Sequence, residues 1–128
     1  MQTIYQKNER DCGVAALAML ARVSHRKAYN FLEREFGRAF TLSSGKIIAG
    51  LLEFGRIPQD TKCKKIGDRQ LPDLEFDALL GGDCLIPAGE KNWKRSGHWA
   101  VWDCEGQCIR DPYGYYYPFQ TKKILLVK

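Results

Sequence analysis

The chain changes its hydrophobic rhythm once, at Pro58, and that change limits its fold more than any other feature. Before Pro58, apolar residues recur at three- and four-residue spacings; after it they fall into short runs cut by Gly, Pro and Asp. The first pattern belongs to amphipathic helices and the second to strands. Helices first and a meandering sheet second give the α+β class, with the helices packed on one face of an antiparallel sheet. At 128 residues the chain has the length of a single domain, 1–128, large enough for one core and a shallow cleft.

Three helices are expected in the first half. Val14, Leu17, Ala18 and Ala21 follow the polar Asp11, so one opens near Cys12. A second spans Ser24 to Phe36, with Tyr29, Leu32 and Phe36 on one face and Gly37 as its stop. A third runs from Ser44 to Phe54, ahead of Gly55. Strands are expected at 62–66, 84–87, 98–103, 107–111 and 123–127, with a short helical turn at 73–80. The polar stretch Ala88 to Gly97 reads as a mobile loop.

Composition excludes several classes of function. The longest unbroken apolar run, Val14 to Ala21, is far short of a membrane span. The chain has no basic-then-apolar start of the secretory kind. Lys and Arg outnumber Asp and Glu by 20 to 15. That excess is spread in small groups such as Lys62, Lys64, Lys65 and Lys91, Lys94, Arg95, with no block of like charge and no nucleic-acid-binding module. Five cysteines against two histidines, without paired CxxC spacings, argue against structural zinc. An odd number of thiols fits a reducing, cytoplasmic compartment, and no cofactor is called for.

Cys12 stands apart from the other thiols. It sits where a loop ending in Asp11 meets an apolar helix, so the positive end of the helix dipole favours its thiolate. Gly13 is expected to clear space for a substrate backbone. A thiolate nucleophile needs a base. His25, beside Arg26 and Lys27, reads as solvent-facing, whereas His98 opens the aromatic strand Gly97-His98-Trp99-Ala100-Val101-Trp102-Asp103. The carboxylate that orients this imidazole is Asp103 or Asp111, and the hairpin turn decides. A two-residue turn at Glu105-Gly106 pairs positions that sum to 211, sets His98 opposite Tyr113 and places Asp111 diagonally on the same face. A three-residue loop would select Asp103 instead. Acyl transfer also needs oxyanion donors: the backbone N–H of Cys12 is one, and the side chain of Gln6 is a candidate for the second.

Taken together, these residues resemble a known family. Gln6-Lys7-Asn8-Glu9-Arg10-Asp11-Cys12-Gly13-Val14-Ala15-Ala16-Leu17 looks like the active-site signature of the bacteriocin-processing cysteine peptidases. These are papain-like enzymes that cut double-glycine leader peptides, usually as the N-terminal domain of an ABC exporter. Gly97-His98-Trp99-Ala100-Val101 looks like the family's histidine strand and Asp111-Pro112-Tyr113-Gly114 like its Asp-Pro segment. Three motifs in order cover essentially the whole chain. The resemblance implies a papain-like fold with Cys12 as nucleophile, His98 as general base, Asp111 as its orienter and Gln6 as oxyanion donor. It departs at Ala16, where the family often has a second cysteine, and in its shorter length.

The chain is therefore expected to be a soluble, stand-alone cysteine peptidase. Its partner is a peptide or protein substrate, cut after small residues such as a Gly-Gly leader, and it associates with a separate exporter or target protein. The alternatives are an isopeptidase, deamidase or acyltransferase with the same triad, or a non-catalytic peptide-binding module using the basic stretch around Trp93.

Overall fold

The computed structural model describes residues 1–114 and 117–128. Three helices come first: α1 (Cys12–Ala21), α2 (His25–Phe36) and α3 (Ser44–Glu53). They are followed by β1 (Lys64–Lys65), β2 (Asp77–Gly89), β3 (Asn92–Asp103), β4 (Cys108–Arg110) and β5 (Phe119–Val127). All strand pairings are antiparallel, in the order β1-β5-β2-β3-β4. The α+β arrangement expected from the change of rhythm at Pro58 is what the chain adopts.

Helix α1 is apolar on every side because every side is covered: Gly13 to Ala21 are all buried. Helix α2 is amphipathic and buries only Ala28, Phe31 and Leu32. The Ser24 hydroxyl caps α2 by accepting the Lys27 N–H at 3.1 Å. Gly37 closes it at φ 72°, a left-handed conformation that glycine adopts without steric cost. Helix α3 crosses α1 at Gly50, where a methyl group would overlap the side chain of Leu17.

The sheet buries both faces. On one, Leu79, Val101, Leu125 and Val127 join Leu17, Leu20, Leu32, Ile47 and Leu51 of the helices. On the other, Ala78, Leu80, Ala100, Trp102 and Ile124 are covered by Leu74, with Ile66 and Leu71 beside it. This second layer explains one correction. The segment 73–80 is not a helical turn: a short 3-10 turn occupies Leu71–Asp73, and β2 begins at Asp77. Ala78, Leu79 and Leu80 are continuously apolar because alternate residues enter two different cores, a pattern that apolarity alone does not separate from a helix.

A second correction concerns Ala88 to Gly97. Rather than a loop, it forms the end of a long β2–β3 ribbon, with Ile86 opposite Lys94, Pro87 opposite Trp93 and Gly89 opposite Asn92. The ribbon runs past Cys84, the last residue of β2 paired with β5, so its tip is exposed and needs no polar–apolar alternation. Between β2 and β5 the register slips at Gly81/Gly82, a bulge that brings β2 close to the β5 backbone. Among the described residues, no helix is long and apolar enough to cross a membrane.

Candidate active site

The β3–β4 hairpin carries the expected pairing. Val101 lies opposite Arg110, Trp102 opposite Ile109 and Asp103 opposite Cys108, so opposed positions sum to 211. Extended past β4, that register brings Tyr113 and Asp111 to His98. The rings of His98 and Tyr113 stack with centroids 4.5 Å apart and planes 8° from parallel. His98 Nε2 lies 2.6 Å from Asp111 Oδ1, and both side chains are buried. The same carboxylate oxygen accepts the Tyr113 N–H at 2.9 Å. Phe119 closes the other side of the imidazole, edge-on at 5.5 Å. Asp103 points away and is taken up by Arg110 at 3.0 Å and by the Gly106 N–H at 3.1 Å.

Cys12 is the first residue of α1, half-buried, and lines the same cleft as His98, close enough for its sulfur to act on the imidazole. With Nε2 committed to Asp111, Nδ1 is the ring nitrogen that addresses the sulfur. Burial works against a charge on this imidazole. The hydrogen bonds from Asp111 and Cys12, and the negative charge each can carry, outweigh it and raise the His98 pKa to about 9. The imidazolium is therefore the favoured form at neutral pH. Burial, with the charges of Asp111 and Cys12, pushes the Cys84 thiol up to about 11, and burial also raises Cys63. All five cysteines are free thiols.

Gln6 belongs to the same cluster. Its backbone N–H donates to Pro112 O at 3.0 Å, and among the described residues its buried side-chain oxygen Oε1 has no hydrogen-bond partner. Its amide nitrogen donates one proton to Asn8 O at 2.7 Å. Its second proton is available to a charged oxygen.

A cavity of about 390 Å³ opens over Cys12 and His98. Gly81, Gly82 and Gly97 line it together with Thr41, Leu42 and Trp99. Three features of this lining were not legible in the motifs. Thr41 adopts φ 55° and donates its N–H to Arg10 O at 3.0 Å, fixing the turn beside the nucleophile loop. Trp99 Nε1 donates to Leu42 O at 3.0 Å, and Lys123 Nζ lies 5.1 Å from the Trp99 ring centroid. Leu42 also changes the meaning of Gly13: a Cβ there would sit 3.0 Å from Leu42 Cδ1. The space above Gly13 is filled by the protein's own packing rather than left for a substrate.

His25 departs most from expectation. It turns inward, and its Nε2 lies 2.9 Å from Asp11 Oδ2, with a side chain only 11% exposed. The Asp11 carboxylate makes no cap to α1. Among the described residues no group of three or more His, Cys, Asp or Glu could hold a metal ion. The arrangement is that of a thiol, an imidazole and a carboxylate in series at the floor of a cleft, a geometry suited to nucleophilic acyl chemistry. Comparison with protein-family models and with curated proteins finds no match for the chain.

Proposed function

We propose that this protein is a papain-like cysteine peptidase that hydrolyses a peptide bond, with a leader ending in small residues such as Gly-Gly as its substrate. The observation that carries the reading is His98, held at 2.6 Å by Asp111 in a cleft that Cys12 also lines. Resemblance of the Gln6–Leu17, His98 and Asp111–Pro112 segments to the bacteriocin-processing peptidases supports the choice of substrate. Gly97 supports it too: nothing lies within 4 Å of where its side chain would stand, so an extended peptide can approach bare backbone beside His98.

With the proton already on His98, the Cys12 thiolate attacks the carbonyl carbon, forming a C–S bond and an oxyanion. The Cys12 N–H and the second Gln6 amide proton stabilise that oxyanion. The imidazolium then protonates the leaving amine as the C–N bond breaks. Water, deprotonated by His98, hydrolyses the thioester and restores the thiol. Association with an exporter or a target protein in a reducing compartment completes the proposal.

The test is mass spectrometry of double-glycine leader peptides incubated with wild type and Cys12→Ala. Wild type should yield two fragments whose masses sum to the substrate plus one water, and Cys12→Ala should yield none. Equal cleavage by both would remove Cys12 from the mechanism; a mass gain without fragmentation would make the enzyme a deamidase or transferase instead.

A further inference from the structure

The pair formed by Asp11 and His25 has no part in the acyl-transfer steps, yet it is built into the loop that carries Gln6. Asp11 is 1% exposed, so its carboxylate needs partners. Both of its oxygens lie 3.0 Å from the Lys7 N–H, and Oδ1 also accepts the Asn8 N–H at 3.2 Å. His25 Nε2 completes the set at 2.9 Å. Asn8 in turn fixes Gln6, since its carbonyl accepts the Gln6 side-chain amide at 2.7 Å. A continuous line of hydrogen bonds therefore runs from the first residue of α2, through Asp11 and the backbone of Lys7 and Asn8, to the amide of Gln6.

This line links two elements that would otherwise move separately. His25 is anchored by a capped helix, with Ser24 holding the Lys27 N–H, whereas residues 6–10 carry no regular structure of their own. We propose that His25 is a positioning residue: acting through Asp11, it holds the 6–8 loop so that the Gln6 amide faces the oxyanion. The assignment rests on the peptidase reading. Oxyanion donors act only when placed in advance, and a small displacement of one loses much of its effect.

The far side of the strut offers a direct test. A cavity of about 230 Å³ is lined by Lys7, Asn8, Asp11, His25, Tyr29 and Phe40, among others, so an imidazole supplied in solution can reach the space vacated in His25→Ala. The probe substrate is the p-nitrophenyl ester of an N-protected glycine. His25→Ala should lower kcat about tenfold, a fraction of what loss of a whole oxyanion donor costs, with little change in KM. Millimolar imidazole should restore most of that loss. His25→Gln, which keeps an N–H donor for Asp11, should stay near wild type. In a Gln6→Ala background, His25→Ala should add no further loss, and alkylation of Cys12 by iodoacetamide should be unaffected.

An unchanged kcat in His25→Ala, an additive loss in the double variant, or no response to imidazole would overturn the proposal. Hydrogen exchange at the Lys7 and Asn8 amides separates it from the peptidase reading. A wild type that never acylates contradicts the peptidase, whereas amide protection that survives His25→Ala contradicts the strut itself.

Discussion

Asp103 and Asp111 leave the same hairpin on opposite sides, and their partners set opposite consequences for their loss. Asp111 is joined to His98, so Asp111→Ala frees the imidazole and removes the hydrogen bond that sustains its charge. Turnover should fall by about 10²-fold or more, the scale of general acid–base catalysis, and the alkaline limit of activity should move to lower pH. Asp103 is held by Gly106 and Arg110. Asp103→Ala should leave turnover near wild type while lowering stability by about 1–3 kcal/mol, the cost of breaking a buried charged hydrogen bond; urea unfolding read beside the activity assay separates the two. Much of this was legible in the amino-acid order, because a turn of even length fixes which residues face His98; the turn is the four residues 104–107 rather than the expected two, which leaves the register unchanged. His25 was not legible: its contact with Asp11 depends on how the chain turns between α1 and α2, and two adjacent basic residues pointed toward solvent.

At the scale of elements, the helices were readable because their ends are chemically marked, by Ser24 and Gly37 around α2 and by Gly55 after α3. The strands were readable where short apolar runs are bounded by polar or turn residues, as at 98–103 and 123–127. In β2 both faces are covered, so Ala78 to Leu80 lose the alternation that identifies a strand. Beyond Cys84 neither β2 nor β3 has a second neighbour over most of the ribbon, and polarity there hid a regular ladder. The bulge, in which Lys122 of β5 is the extra residue, has its own consequence for Gly82 on β2. A methyl group at Gly82 would overlap the Gln120 carbonyl, a backbone group that cannot swing aside. Gly82→Ala should destabilise by about 1–3 kcal/mol or more and reduce activity as well, since Gly82 lines the cleft. Trp93, 61% exposed on the ribbon, makes a control: Trp93→Ala should change the urea midpoint by no more than about 0.5 kcal/mol in equivalent stability.

For the whole molecule, two buried groups set opposite pH limits. His98 titrates near 6.5 in an unfolded chain and near 9 in the fold. Its contribution to stability is therefore complete below about pH 6.5 and disappears as pH rises through about 9. Burial raises the Asp103 carboxyl, but the Gly106 N–H, Arg110 and the N-terminal charge outweigh it and hold its pKa below the ordinary 3.8. Its contribution is present above that value and is lost as pH falls through the lowered one. From these two groups, unfolding midpoints should be flat between about pH 4 and 6.5 and decline on either side. His98→Ala should remove the decline between about pH 6.5 and 9 and leave the acid one.

The most direct test of the central claim, that Cys12 is a nucleophile activated by His98 and Asp111, is the alkylation rate of each thiol in the native protein at mildly acidic pH. Iodoacetamide labelling with peptide mapping follows all five at once. Cys12 should react much faster than Cys63, Cys104 or Cys108, and the difference should vanish in His98→Ala. A Cys12 that reacts no faster than those thiols would contradict the ion pair and the peptidase built on it.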